Sequence, residues 1–260
     1  MCEWKPARKG ARRRRCGSVV DRDDVERLVL DATYGDPATL PDRLCEALRV
    51  SASMDAATLS LFTDTPHRQL LCATSDAALR LERLQFGLGE GPCVTAAREG
   101  AQVIVGDLRH DLSAWPLFGP CAQEQLTDVG AIYAFPLFSD TGSTLGTADL
   151  LCHRPLAPDP DAVEAAALAV RAASGALMRT FRETVVEGSS DLPPWEPEDI
   201  LDSYWGLTHI AVSATAGALG ITDDEALARL RARAFGTGRS LPDVANDVIA
   251  DPVGWEKDAR

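Results

Sequence analysis

The sequence predicts an α+β protein in which a region of mixed helices and strands is followed by a small all-helical region. Short apolar runs bounded by turn residues indicate strands before residue 153, whereas the segment after residue 198 shows only helical spacing. At 260 residues the chain exceeds a typical domain of about 100–200 residues, so two domains are expected. Apolar residues at 45% and charged residues at 25% are ordinary for a chain that buries a core.

The first region is predicted to place strands between helices. Two helices are expected over residues 23–53, on either side of Gly35-Asp36-Pro37, because apolar residues recur there at spacings of three and four. Further helices are predicted at residues 76–86, 94–99 and 159–186; the last is alanine-rich and free of proline after Pro160. Strands are predicted at residues 56–62, 69–74, 103–105, 130–138 and 143–152, with hairpin turns at 64–67 and 140–143.

The second region is predicted to consist of three helices. It follows a Gly-, Ser- and Pro-rich segment at residues 188–197, a composition that cannot continue a helix. Helix one spans residues 199–219 and ends at Gly220, helix two begins after Thr222, and helix three begins after Ser240. Three short helices cover one another only marginally, so we expect docking on the first domain or a homodimer.

Charge is distributed unevenly. The net charge of −13 disfavours non-specific attraction to nucleic acid. Residues 1–20 hold seven Lys and Arg against Glu3, a balance of +6, which leaves −19 for the remainder. We expect a basic, disordered tail, with Arg12 to Arg15 either solvated or touching nucleic acid. The predicted units are a tail at 1–22, domains at 23–182 and 199–251, a linker at 183–198 and an acidic tail at 252–260.

The sequence carries no signal for a membrane, a metal or a cofactor. No apolar stretch reaches the roughly 18 residues of a spanning helix, and the basic start lacks a following apolar segment, so a cytoplasmic protein is expected. Seven cysteines without a CxxC pair argue against a disulfide framework and are expected to be mostly small buried hydrophobes. Four isolated histidines, at positions 67, 110, 153 and 209, do not show metal-ligand spacing.

Enzymatic activity is not expected. The sequence contains no phosphate-binding Walker loop, no GxSxG motif and no pair of carboxylates that can be placed in one cleft. Cys93 lies at a predicted helix start, where a thiolate can be stabilised, and is therefore a candidate nucleophile. The alternative, a packing role for Cys93, is favoured.

The loop after the third predicted helix carries the most specific motif of the first region. It reads Gln85-Phe86-Gly87-Leu88-Gly89-Glu90-Gly91-Pro92-Cys93, and it is followed in order by Ala96, Ala97, Gly100, Val103 to Leu108, Trp115-Pro116, Phe118, Phe135-Pro136-Leu137 and Leu145-Gly146. Residues 23–182 closely resemble the GAF domains of actinobacterial regulators. The resemblance implies an antiparallel sheet flanked by helices, with an unidentified small molecule bound between sheet and loop.

The C-terminal region carries a second set of motifs. These are Leu219-Gly220-Ile221-Thr222, Asp224 to Ala232, Phe235, Thr237 to Leu241, Val244-Ala245 and Asp247-Val248. They resemble ANTAR domains over about residues 199–250. Such domains bind RNA hairpins, typically in pairs, and prevent a terminator from forming. The resemblance therefore implies a transcription antiterminator whose partner is RNA.

The candidate RNA-binding residues lie in helix one, in helix two and in the loop before helix three. Arg229 and Arg233 are one helical turn apart and Arg239 lies in the following loop, where guanidinium groups can pair with phosphates and stack on unpaired bases. A solvated face that balances nearby carboxylates is the alternative reading of these arginines. His209 and Ala211 match the ANTAR signature in helix one, and they complete the candidate set.

The sequence also departs from the ANTAR pattern. Ile210 stands where the family has glutamine and Ser213 where it has glycine, which removes a hydrogen-bonding side chain and a close backbone approach. The chain then ends acidic rather than basic, with Asp251, Glu256 and Asp258. These departures keep a second hypothesis open, namely a ligand-sensing or dimerisation module that has lost RNA binding.

Overall fold

The computed structural model describes residue 16 and residues 21–62, 68–186, 188, 192–197 and 203–251. The predicted turn at 64–67, the rest of the basic tail and the acidic tail at 252–260 lie outside these residues. The elements are α1 (Arg22–Ala32), α2 (Leu40–Ser51), β1 (Ala56–Phe62), β2 (Arg68–Ala73), α3 (Asp76–Leu88), α4 (Pro92–Glu99), β3 (Val103–Val105), α5 (Phe118–Gln125), β4 (Ala131–Phe138), β5 (Thr144–Cys152), α6 (Pro160–Phe181), α7 (Gly206–Leu219), α8 (Asp223–Thr237) and α9 (Leu241–Ala250).

The strands form one antiparallel sheet in the order β2-β1-β5-β4-β3. The β4–β5 hairpin closes through a turn in which Ser139 N donates to Ser143 O at 2.8 Å, as the polar segment at 140–143 predicted. The α+β prediction, with an antiparallel sheet flanked by helices and a helical C-terminal region, is confirmed.

Helices cover both faces of the sheet. On one face, α1, α2 and α6 bury their apolar stripes against residues such as Leu59, Phe135 and Leu150. On the other face, α3 and α5 pack on a second core that includes Ile132 and Leu151. Because successive strand residues point to opposite faces, each central strand contributes to both cores.

The three C-terminal helices begin and end largely where local signals place them. Gly220 ends α7 in the left-handed conformation, with φ of +66°. The Thr222 side chain accepts from Glu225 N at 3.2 Å and the Ser240 side chain from Asp243 N at 3.3 Å, so both predicted N-caps are confirmed. The Glu225 carboxylate is used differently from a capping box, because it accepts from Arg229 instead.

Three details differ from the sequence predictions. Helix α7 begins at Gly206, after a turn in which Gly206 N donates to Ser203 O; the predicted start of helix one at Asp199 lies outside the described residues. Helix α5 has no counterpart in the prediction. The long helix α6 ends as an α-helix at Phe181 and continues as one π-helical turn at Arg182–Val186.

The cysteines also behave differently from the prediction. Cys45 pairs with Cys72 and Cys16 pairs with Cys152 as disulfides, whereas Cys93 and Cys121 are free. Cys45, Cys72, Cys93 and Cys152 are buried, as expected of small hydrophobes, but the two pairs were not expected. The paired cysteines are 27 and 136 residues apart, so their spacing along the chain does not indicate the pairing.

The glycine at 146 is required by the packing of two strands. Its partner in β1 is Leu61, and a Cβ at Gly146 would lie 2.0 Å from the Ser60 carbonyl oxygen. We expect Gly146→Ala to lower the free energy of unfolding by about 2–3 kcal/mol, because the strands would have to separate. Urea unfolding would measure this.

A matched control is Gly175→Ala in α6, where no atom lies within 4 Å of the added Cβ. This change is expected to raise stability by about 0.5–1 kcal/mol, since alanine is the better helix former. If Gly146→Ala were as stable as Gly175→Ala, β1 and β5 would accommodate the added Cβ without loss of stability.

Candidate functional site

A group of buried polar side chains lies between the sheet and α3. The register places Thr58 opposite Asp149 and Ser60 opposite Thr147 on the neighbouring strands β1 and β5. All four residues are fully buried, and they face α3. Their neighbours along each strand are apolar and face the other core; these are Ala57, Leu59, Ala148 and Leu150.

An ion pair occupies the centre of this group. Arg68, at the start of β2, donates from Nη2 to Glu82 Oε2 on α3, and the side chains are only 3% and 0% exposed. The Glu82 carboxylate also accepts from Thr58 Oγ1 at 2.6 Å and from Ser60 Oγ at 3.1 Å. Such a pair is stable only as a pair, because removal of one partner leaves a buried charge uncompensated, at a cost of about 3–5 kcal/mol.

Gln85 connects Asp149 to the first turn of α4. Its Nε2 donates to Asp149 Oδ2 at 2.6 Å, and its Oε1 accepts from Cys93 N at 2.8 Å. Burial raises the pKa of Asp149 to about 7, and the charge of Glu82 adds to the shift, whereas Arg68 and the Gln85 hydrogen bond oppose it. Asp149 therefore changes its charge close to neutral pH.

We call Thr58, Ser60, Arg68, Glu82, Gln85, Cys93, Thr147 and Asp149 the polar cluster. Three of its atoms have no hydrogen-bond partner among the residues the structure describes: Asp149 Oδ1, Thr147 Oγ1 and Arg68 Nε. Buried polar groups are normally satisfied, so the cluster has unused hydrogen-bonding capacity at a carboxylate oxygen, a hydroxyl that can donate or accept, and one N–H donor.

Cys93 is part of this cluster rather than a separate reactive site. Arg68 Nη1 donates to its sulfur at 3.0 Å, yet burial raises the pKa of the Cys93 thiol well above its ordinary value. The charges of Asp149 and Glu82 add to that shift, and Arg68 only partly opposes it. The thiolate that a nucleophile needs is thus disfavoured.

A family model described as GAF domain matches residues 36–178, more than half of the 260 residues. The chain belongs to the GAF domain family. The match ends before α7, so the C-terminal helices lie outside it. No curated protein matches the chain in sequence.

Three solved structures are similar to this chain at low sequence identity. The GAF domain of a phosphoenolpyruvate-protein phosphotransferase from Coxiella burnetii is 12% identical over 62% of this chain and 94% of that chain, with a TM-score of 0.48. The corresponding domain from Acinetobacter is 10% identical over 62% and 94%, with a TM-score of 0.46. A free methionine-R-sulfoxide reductase from Neisseria meningitidis is 18% identical over 63% and 89%, with a TM-score of 0.44.

The glycines of the GAF motif have definite roles at the polar cluster. Gly91 has φ of +133°, and a Cβ there would lie 2.7 Å from Gln85 Oε1. A side chain at this position would therefore displace the hydrogen bond from Cys93 N to Gln85. Gly89 ends α3 with φ of +66°, and a Cβ there would lie 2.9 Å from Arg231 Nη1 of α8. The motif thus shapes both the cluster and a contact with the C-terminal helices.

That contact joins the GAF domain to α7 and α8. Phe86 of α3 packs against Trp205 with ring centroids 4.3 Å apart and against His209 edge to face at 6.4 Å. Arg231 Nε donates to the Phe86 carbonyl oxygen at 2.9 Å. Phe86 belongs to the same apolar core as α7, α8 and α9. Docking on the first domain was one of the two arrangements expected from the sequence.

The structure separates the residues that the sequence proposed for RNA contact. His209 is 9% exposed and Ala211 is fully buried. Arg229 and Arg239 are at the surface, with side chains 39% and 41% exposed. Arg233 lies between them on α8 and is half-buried. The arginines are therefore accessible in this arrangement, and the two helix-one residues are covered.

The residues of the polar cluster, apart from Cys93, were not identified from sequence. A signal was present, because Thr58, Ser60, Thr147 and Asp149 are polar at alternate positions of two central strands whose two faces are both covered by helices. Such strands are normally apolar on both faces. Recognising this signal requires the strand order, which the sequence alone does not provide.

Two further findings concern metals and membranes. Ligand atoms of Cys16, Asp55 and Cys152 lie within 4.8 Å of one another, a set that sequence spacing did not indicate. Because the two sulfurs are bonded to each other, they are not available as thiolate ligands. Among the described residues, no helix is both long and apolar enough to cross a membrane.

The raised pKa of Asp149 makes a prediction about pH. Between about pH 4 and pH 7 the folded state binds a proton at Asp149 that the unfolded state has released, so this group's contribution to stability falls as pH rises through about 7. Asp149→Asn resembles the protonated form at every pH. The free energy of unfolding of Asp149→Asn minus that of the unsubstituted chain should therefore increase by about 1–3 kcal/mol from pH 5 to pH 8.

Urea unfolding at both pH values checks this prediction. Asp31→Asn, at an exposed position of α1, is the control and should show the same difference at pH 5 and pH 8. A pH-independent effect of Asp149→Asn would mean that Asp149 keeps an ordinary pKa in the folded protein.

Proposed function

We propose that this chain is a signal-responsive transcription antiterminator, in which the GAF domain controls binding of RNA hairpins by the C-terminal helices. One observation carries the proposal: α3 faces the polar cluster with Glu82 and Gln85 and contacts α7 and α8 through the next residue, Phe86. A ligand that enters the cluster therefore acts on a helix that is already in contact with the C-terminal unit. The resemblance of that unit to ANTAR domains supplies RNA as the partner.

The surface arginines supply the chemistry for RNA contact. Arg229 and Arg233 lie one turn apart on α8, and Arg239 lies in the loop before α9. Planar guanidinium groups form paired hydrogen bonds with phosphates and stack on bases that hairpin loops leave unpaired. We infer that these three residues contact the RNA.

Each accessible arginine has an acidic partner that RNA would have to replace. Arg229 donates to Glu225 at 2.7 Å, and Arg239 donates to Asp247. The hydrogen bond from Arg239 lowers the pKa of Asp247, and the charge of Arg233 contributes. Exposed ion pairs contribute little to stability, so a phosphate that bonds a guanidinium in two places can compete with them.

The same observations favour a second candidate function. The positive charges of Arg229, Arg233 and Arg239 are balanced by nearby carboxylates, those of Glu225, Asp243 and Asp247. His209 and Ala211 are buried. A chain that senses a ligand or dimerises without binding RNA would need neither free arginines nor an accessible helix one. The Ile210 and Ser213 departures from the ANTAR pattern point in the same direction.

Binding to RNA of defined structure separates the two candidates. The full chain is titrated with a two-hairpin RNA and with an unstructured RNA of equal length, at low and moderate salt. We expect selective binding whose logarithm falls linearly with the logarithm of salt concentration. Equal binding to both RNAs, or none, would favour the ligand-sensing or dimerisation module.

Arginine variants test the contact residues. Arg229→Ala and Arg239→Ala should each weaken hairpin binding by roughly threefold to tenfold and reduce the salt slope by about one, as expected for loss of one phosphate contact. Arg98→Ala is the matched control, because Arg98 is an exposed arginine next to Glu99 on α4 of the GAF domain. Wild-type affinity in both variants would remove these arginines from the mechanism.

A further inference from the structure

The contact between α3 and the C-terminal helices has the properties of a releasable latch. We use the word latch for Arg83, Phe86, Trp205, His209 and Arg231. Phe86 and Trp205 are nearly fully buried, at 1% and 2% exposure, although they come from different parts of the chain. Each covers apolar surface that would otherwise face water, which holds the two units together.

Arg231 combines attraction with an electrostatic cost. Besides its bond to the Phe86 carbonyl, its guanidinium lies 5.3 Å from the centre of the Phe86 ring. Burial lowers the pKa of Arg231 to about 10, and the like charge of Arg68 in the polar cluster adds to this shift. Arg231 is therefore still charged at neutral pH, but it is less stable here than in water.

A second contact lies at the edge of the latch. Arg83 of α3 donates from Nε to the Tyr204 hydroxyl, and its guanidinium lies 5.3 Å from the centre of the Tyr204 ring. Both side chains are partly accessible. This contact can therefore be removed without creating a cavity in either core.

The closed latch covers one of the two helix-one residues that the ANTAR resemblance assigns to RNA. His209 packs against Phe86 of α3, whereas Ala211 is buried in the core that α7 forms with α8 and α9. In the closed arrangement the arginines on α8 are accessible but His209 is not. A surface that needs both the arginines and His209 is incomplete until His209 separates from Phe86.

We propose that the latch is autoinhibitory: the GAF domain keeps His209 of α7 covered, and RNA hairpins are bound with full affinity only after the latch opens. This inference rests on the proposed function and specifies its regulation. Gln85 and Phe86 are consecutive, so a shift of α3 that satisfies a ligand at Asp149 also moves Phe86. If only a small fraction of the molecules has an open latch, the apparent RNA affinity equals the affinity of the open state multiplied by that fraction.

The test uses the full chain with two independent opening variants, Arg231→Ala and Arg83→Ala. Arg80→Ala is the matched control, because Arg80 lies one turn earlier on α3 and pairs with Asp128 inside the GAF domain at 2.6 Å. Amide hydrogen exchange in α7 reports opening without RNA, and exchange in β1 and β5 reports an intact GAF domain. Affinity for the two-hairpin RNA is measured in parallel.

We expect both opening variants to exchange α7 amides several-fold faster and to bind the hairpin RNA roughly fivefold to twentyfold more tightly, with Arg80→Ala unchanged. Faster exchange with unchanged or weaker RNA binding in both variants would overturn autoinhibition while leaving RNA binding in place. Unchanged exchange would overturn the latch itself. Faster exchange with no RNA binding by any variant would overturn the proposed function together with its regulation.

Discussion

The buried ion pair of Arg68 and Glu82 is the interaction on which the GAF domain's inner face depends. Either charge would be destabilising without its partner, because both side chains are buried. Separation of β2 from α3 is therefore unfavourable. Thr58 and Ser60 fix the Glu82 carboxylate from β1, which brings two strands and a helix to one point. Asp149 is a second buried carboxylate in this cluster; burial raises its pKa, and the charge of Glu82 adds to the shift.

Helix α3 transmits this constraint beyond the GAF domain. Its side chains at positions 82 and 85 bond within the polar cluster, and Phe86 belongs to the core of the C-terminal helices. Packed cores adjust by discrete repacking rather than by continuous deformation. In the proposed mechanism, a rearrangement at the cluster therefore reaches α7 and α8 as a change of packing around Phe86.

Charge balance limits how the C-terminal surface can meet a polyanion. The whole chain carries −13, and the accessible arginines are held by carboxylates of the same helices. Long-range attraction to nucleic acid is consequently weak, so the proposed RNA contact has to rely on local geometry. Under that proposal, a folded RNA that presents phosphates and unpaired bases at fixed positions is preferred over unstructured RNA.

Local signals in the sequence determined most of the secondary structure. Short apolar runs bounded by turn residues placed the five strands, and Gly220, Thr222 and Ser240 marked helix boundaries, because turns and caps involve neighbours only a few residues apart. Helix α5 and the start of α7 were not predicted. The first lacked a clear repeat, and the second depends on where Trp205 packs.

Only the tertiary structure decided the environment of the important side chains. The sequence indicated a GAF motif, but the strand order brought Thr58 and Asp149 together, and long-range contacts paired the cysteines. Arg231 was not among the candidate residues from the sequence, whereas the fold packs it against Phe86. The physical reason is the same in each case: burial, pairing and pKa depend on residues far apart in the chain, and periodicity carries no information about them.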